Sequence, residues 1–152
     1  GCARNTCRFC NMYKAKKFRI RPLEDVVEDL KMAREYYSGY RIRRIFLADG
    51  DALICKTDDL LYIMGEANRL FPENERITMY GAPKDILLKS HEDLVKLREA
   101  GLEMVYMGAE SGDDDVLEYV KKGATHAEIA AAGIKLKEAG IKVSVTLISV
   151  VT

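Results

Sequence analysis

Along this chain, apolar residues at helical spacing alternate with short apolar runs, and most changes of period carry a cap or breaker residue. Leu23, Val26, Val27, Leu30 and Ala33 share one helical face behind Pro22, a residue suited to opening a helix. Residues 43–48 read as a strand entering a buried sheet. A second helix is predicted with Thr57 as N-cap, Asp58 and Asp59 against its positive end, and Leu60, Leu61, Met64, Ala67 and Phe71 along one face. Pro72 stops it, and 77–80 is the next strand. Ser90-x-x-Asp93 resembles a capping box and starts a third helix that ends at Gly101. A strand at 102–107, a short helix at 113–122 closed by Gly123, and a longer helix behind the capping box Thr125-x-x-Glu128 follow. Gly140 closes that helix, and 141–151 is an almost continuous β-branched run.

The segment Leu97-Arg98-Glu99-Ala100-Gly101-Leu102-Glu103 recurs as Leu136-Lys137-Glu138-Ala139-Gly140-Ile141-Lys142. Each copy joins a helix end, a C-cap glycine and a strand start, so the chain repeats an αβ unit. Apolar strands separated by helices imply a parallel sheet covered by helices, with right-handed crossovers. The fold class is therefore α/β, with four strands and room for one more before Gly1. An open or partial (β/α) barrel and a doubly wound sheet both satisfy this pattern.

At 152 residues the chain is about one domain. Because the cysteine cluster begins at once behind Gly1, the expectation is a single domain, 1–152, excised from a longer protein. Its 24 Lys and Arg balance 24 Asp and Glu, so no global field points to nucleic acid or a membrane. The apolar runs are strand-sized, and none is long enough to span a bilayer. Four cysteines in a chain of this length and composition more often bind metal than form staples, and a reducing, cytoplasmic compartment is expected.

In either architecture the working edge lies at the C-terminal ends of the strands. Asp49-Gly50-Asp51, Gly81-Ala82-Pro83-Lys84 and Gly108-Ala109-Glu110-Ser111-Gly112 fall there, and the cysteine loop joins them if a strand precedes it. Asp49 and Asp51 also fit a plain turn around Gly50. Asp113, Asp114 and Asp115 fit capping of the short helix. Glu110 follows a buried strand, where an unpaired carboxylate is costly, so it should have a partner. His91 and His126 follow helix N-caps and should be exposed, and Cys55 reads as a lone thiol. Lys14, Lys16, Lys17, Arg19 and Arg21 form a basic segment that suits either a solvated loop or an anionic cluster or substrate.

Cys2, Cys7 and Cys10 lie within nine positions. Structural zinc calls for four closed ligands, and a redox Cys-x-x-Cys has no use for Cys2. A cubane iron–sulfur cluster held by three thiolates keeps one iron open, as catalysis requires. A non-catalytic metal module on this loop, binding zinc or an electron-transfer cluster, would need a fourth ligand from Cys55, His91 or His126. An αβ binding domain with incidental cysteines is the third reading.

Cys2…Cys7-x-Phe9-Cys10, followed by strand ends rich in glycine and acid, resembles the radical S-adenosylmethionine (radical SAM) superfamily over nearly the whole chain. The run from Glu110-Ser111-Gly112-Asp113 to Lys122-Gly123 is similar to its methylthiotransferase and cobalamin-dependent branch. Four residues separate Cys2 from Cys7, where the commonest family loop has three, and 149–152 lack the glycine often found at that strand end. The resemblance implies a partial barrel, truncated at its first and last strands. It implies a [4Fe–4S] cluster on Cys2, Cys7 and Cys10, with SAM chelating the open iron and Phe9 near the adenine. The backbone of Asp49, Gly50 and Asp51 would face the SAM ammonium, and Glu110 and Ser111 the ribose or methionyl end. It also implies reductive cleavage of SAM to a 5′-deoxyadenosyl radical, fed by a reductant such as flavodoxin or ferredoxin, on a substrate the residues do not name.

Overall fold

The computed structural model describes residues 1–149. In chain order its elements are α1 (Leu23–Tyr36), β1 (Arg44–Leu47), α2 (Thr57–Leu70), β2 (Arg76–Tyr80), α3 (Pro83–Leu88), α4 (His91–Glu99), β3 (Leu102–Glu110), α5 (Asp114–Tyr119), α6 (His126–Glu138) and β4 (Lys142–Leu147). A 3-10 turn, Ala52–Ile54, sits between β1 and α2. The strands form one sheet in the order β1-β2-β3-β4, every pair parallel. This is the α/β partial-barrel arrangement expected from the sequence.

Strand alternation divides the sheet into two faces. Ile77, Met79, Val105 and Met107 point to the helices and bury completely or nearly so against Leu60, Met64, Ile86, Leu94, Leu97 and Leu136. Burial of each such side chain contributes about 1.5–3 kcal/mol, so this layer is what fixes the strand register. The opposite face carries Phe46, Tyr80 and Tyr106. Their rings meet at 5.3, 5.9 and 5.8 Å between centroids, two of the contacts edge-on. Phe46 and Tyr80 stay 45% and 40% exposed, which leaves this inner wall open.

The repeated αβ unit is present in both copies. Gly101 and Gly140 have φ of +112° and +78°, the left-handed conformation that glycine adopts most readily at a helix end. The capping box of Thr125 and Glu128 forms in full, and Ser90 Oγ accepts from Asp93 N–H at 3.0 Å.

Several expectations need correction. Thr57 is the first residue of α2, and Lys56 stands at the N-cap without a side-chain cap bond. Helix α3 was not foreseen: Pro83 opens it, but its six residues are too few to display a period. Strand β3 continues to Glu110, because Ala109 is buried at 4% exposure and extends the core row. Strand β1 is only half-buried, since it lies at the edge of the sheet. Helix α5 ends at Tyr119, short of Gly123; Lys121, at φ +54°, closes it. The β-branched run forms a strand from Lys142 to Leu147, and its expected end at 150 and 151 lies outside the described residues.

Candidate functional site

The cysteine loop is clamped between the end of α5 and the turn that follows β1. On one side Arg8 N–H donates to the Val120 carbonyl at 2.9 Å, and the Arg8 guanidinium lies 5.1 Å from the Tyr119 ring centroid, which fastens the loop to the end of α5. Arg4 lies across Gly123, where a Cβ would fall inside its guanidinium. On the other side Gly50 meets the loop. A Cβ at Gly50 would stand 2.9 Å from the Tyr13 ring and 3.1 Å from Cys2 Cβ, closer than ordinary contacts allow. Within the loop, Cys10 N–H donates to the Cys7 carbonyl at 3.4 Å and Asn5 Nδ2 donates to the Tyr13 carbonyl at 2.7 Å.

Cys2, Cys7 and Cys10 are free thiols, each half-buried. Burial pushes the Cys7 thiol up, the Lys122 ammonium pulls it down, and Cys2, Cys10 and Glu110 push it up again. The three sulfurs and the Glu110–Lys122 pair thus share one electrostatic neighbourhood. Among the described residues no three His, Cys, Asp or Glu side chains stand together at metal-coordinating spacing. The donor set is nonetheless chemically suited to a thiolate-held iron–sulfur cluster, with Lys122 at hand to offset its negative charge.

Glu110 has the partner that its position demanded. Lys122 Nζ lies 3.1 Å from Glu110 Oε1, and each side chain is only 12% exposed. The helix end delivers that lysine. Lys121 N–H bonds the Glu118 carbonyl and Lys122 N–H the Leu117 carbonyl, both at 2.9 Å, so the chain reverses on Lys121 and returns Lys122 to the end of β3. Gly108 makes the space: a Cβ there would lie 2.2 Å from Glu110 Oε1 and 2.9 Å from Lys122 Nζ. Glu110 itself has φ +68°, a conformation costing about 1–3 kcal/mol for a non-glycine residue and found most often at functional sites. Ser111 Oγ accepts from Asp113 N–H at 3.1 Å and so shapes the turn into α5. Lys122 was the site residue missed from sequence; the αL reversal that returns it has a lysine where a glycine would have announced it.

At the end of β1, Asp49 and Asp51 diverge. Asp49 faces the loop, accepting from the Gly1 nitrogen at 2.6 Å and the Tyr13 hydroxyl at 3.2 Å, with Lys16 Nζ at 3.9 Å. Asp51 turns inward, is 6% exposed, and accepts from Ala82 N–H at 3.1 Å. Burial first, then a hydrogen bond and charge contact with Asp85, push its carboxyl up to about 8.

Phe9 sits at the tip of the Cys7–Cys10 turn and is 38% exposed. His91 and His126 are exposed, as expected; His126 is engaged by Asp114, with 2.8 Å between Nδ1 and Oδ2. Cys55 sits among Asp59, Lys89 and Asp51, a different environment from that of Cys7. Of the basic segment, Lys14 is bonded to the Asn5 carbonyl, Lys16 approaches Asp49, and Arg21 pairs with Asp29, while Lys17 and Arg19 are exposed.

The chain belongs to the radical SAM superfamily, whose family profile matches residues 1–152. Membership makes it part of an enzyme superfamily and implies a [4Fe–4S] cluster and SAM as cofactors. No curated protein sequence matches it significantly. Among solved structures it is similar to the cobalamin-dependent radical SAM enzyme OxsB with aqua-cobalamin and SAM bound, at TM-score 0.76 and 19% identity over 97% of this chain and 22% of that one. It is also similar to the radical SAM methyltransferase TsrM from Kitasatospora setae, with cobalamin and a [4Fe–4S] cluster bound, at TM-score 0.68 and 21% identity over 97% of this chain and 29% of that one. A third is coproporphyrinogen III oxidase (HemN) from Escherichia coli, at 0.70 and 16% over 94% of this chain and 34% of that one. At these identities the likeness concerns the fold. The chain spans between a fifth and about a third of these proteins' lengths. No helix among the described residues is long and apolar enough to cross a membrane.

Proposed function

We propose that this domain holds a [4Fe–4S] cluster on Cys2, Cys7 and Cys10 and presents SAM to it for reductive cleavage. The observation that carries this reading is the convergence on one loop of Gly50 against Cys2 and of the Glu110–Lys122 pair beside Cys7. When bound, the cluster and SAM would supply one-electron cleavage of a carbon–sulfur bond and a 5′-deoxyadenosyl radical for hydrogen abstraction. The protein's own residues would orient and screen that chemistry. Asp49 and the Gly50 backbone, on the loop side of β1, suit the SAM ammonium. Glu110 suits the ribose hydroxyls, and Lys122 beside it suits the methionyl carboxylate. Ser111 would support that end through the turn it shapes, and Phe9 would cover the adenine. A cytoplasmic, reducing location and an electron donor such as flavodoxin or ferredoxin complete the proposal; the four free thiols agree with it.

The test is anaerobic reconstitution with iron and sulfide, then EPR of the reduced protein with and without SAM. A [4Fe–4S] signal that changes on adding SAM, and that Cys7→Ala abolishes, is the expected result. A cluster whose spectrum ignores SAM, or a protein that retains zinc and assembles no cluster, overturns the reading in favour of a non-catalytic metal module.

A further inference from the structure

The turn that faces the cysteine loop is braced from behind. Asp51 is one residue beyond Gly50, yet its carboxyl group runs away from the loop, into the seam between the 3-10 turn and α3. There it is 6% exposed, with Ala52 and Leu53 buried beside it in sequence at 8% and 1%. Its Oδ1 accepts from the N–H of Ala82, the residue at the N-cap of α3. Asp85, in the first turn of that helix, is its acidic neighbour. Gly81 allows the seam to close: a Cβ there would lie 2.6 Å from Leu53 Cδ1. One step back along the chain, Gly50 abuts Cys2 and Tyr13, and Asp49 is bonded to Tyr13 and Gly1.

We propose that Asp51 is a positioning residue: its carboxyl group clamps the strand end to α3 and thereby holds Asp49 and Gly50 at the distance from the cysteine loop that SAM binding requires. This rests on the SAM reading given above. Burial and the neighbouring Asp85 carboxyl both favour the protonated form of Asp51, and two acidic side chains can hydrogen-bond only if one carries a proton. Protonated, Asp51 donates to Asp85 while accepting from Ala82, and both of its functions are used. Lys89 is the nearby cation, itself pulled down by burial, and its Nζ is committed to the Cys55 carbonyl at 2.7 Å. The other ionisable groups around this cluster include Cys55, Lys56, Asp58, Asp59 and Asp93. Removing the Asp51 proton therefore deletes a donor and sets two negative groups together, with one partly desolvated lysine to offset them. The strand end then keeps its bond to Ala82 but is pushed away from Asp85, and the brace is weakened.

Asparagine discriminates this role from simple filling of space. Asp51→Asn keeps an acceptor for Ala82 and a donor for Asp85 and cannot titrate, whereas Asp51→Ala keeps neither. In the reconstituted wild-type protein, SAM affinity, read from the SAM-dependent change in the EPR spectrum, should fall as pH rises through about 8. Asp51→Asn should bind SAM near neutral pH within about twofold of wild type and hold that affinity across the same range, and Asp51→Ala should be weaker by about tenfold or more. Melting of the apoprotein over about pH 6 to 9 provides a readout free of the cofactors: the wild-type melting temperature should decline with pH more steeply than that of Asp51→Asn. An Asn variant that follows the wild-type pH profiles, or that is as weak as Ala, overturns the proposal. If wild-type protein forms a cluster that never responds to SAM, the functional reading fails and the positioning role with it, while parallel melts for wild type and Asn would refute the shared proton independently.

Discussion

Glu110 and Asp51 are carboxyl groups buried at the ends of two strands of one sheet, and the fold accommodates them in opposite ways. Glu110 is given a cation, Lys122, at 3.1 Å, with both side chains 12% exposed. Asp51 is set beside a second acid, Asp85, and burial pushes its carboxyl toward the protonated form. The first arrangement leaves a charge pair beside Cys7, useful where an anionic cluster and a zwitterionic ligand are to be held. The second keeps the buried Asp51 itself uncharged, in a seam whose task is mechanical. Surroundings, not residue type, decide which acid faces the chemistry.

The largest expected effect follows from the proton. In the unfolded chain Asp51 titrates at about 4, and burial in the folded protein pushes it up to about 8. Below the lower value both states are protonated and this group's contribution to stability is complete. As pH rises the unfolded chain releases its proton first, and stability declines by up to about 1.4 kcal/mol per pH unit until the folded group also titrates. Chemical denaturation at a series of pH values should show this slope in wild type and its loss in Asp51→Asn. An equal slope in both proteins would remove the contrast with Glu110.

Breaking the other arrangement has the next largest effect. Lys122→Met leaves Glu110 buried without its cation and should cost about 3 kcal/mol, toward the low end for a buried pair because some solvent still reaches it. Adding Glu110→Gln should recover a substantial part of that loss. A double-mutant cycle by urea denaturation measures the coupling, and a value near zero would mean that the pair is ornamental.

The contrast also marks what the sequence could reveal. Helix α6 and the two αβ joints at Gly101 and Gly140 were legible because capping boxes and C-cap glycines act locally. The need of Glu110 for a partner was legible because burying a charge is costly wherever it occurs. The partner was not, because Lys122 reaches it through a helix reversal on Lys121, and a lysine in the left-handed region resembles any other surface lysine. Asp49 and Asp51 are identical letters flanking Gly50; which one faces the loop depends on α3, an element too short to announce itself. Gly108 and Ala109 read as a loop, yet they are the last turn of the ladder, and Gly108 is small because two charged side chains meet over it.

That crowding gives the third effect. Gly108→Ala would put a methyl group 2.2 Å from Glu110 Oε1 and 2.9 Å from Lys122 Nζ, so the pair must separate or the strand must move. A loss of about 2 kcal/mol is expected in urea denaturation, within the range for overpacking a buried site. In a Glu110→Ala background most of that loss should vanish, because the carboxylate nearest the added methyl is gone. An unchanged penalty in that background would locate the clash in the backbone and not in the ion pair.

The smallest effect tests how Lys122 is delivered. Gly140 closes α6 with the same pair of bonds that Lys121 uses to close α5: its own N–H to Lys137 and the next residue's N–H to Leu136. A side chain in that conformation costs about 1 kcal/mol that glycine avoids, so Lys121→Gly should stabilise the folded state by up to that amount. Glycine also widens the unfolded ensemble, which returns part of the gain, and a rise of a few tenths of a kcal/mol is the net expectation. The Lys122–Glu110 coupling measured by the cycle above should be unchanged in this variant, because the reversal itself is retained. A loss of coupling would mean that Lys121 holds the reversal by more than its backbone, and that the delivery of Lys122 depends on a side-chain contact rather than on the helix-end bonds alone.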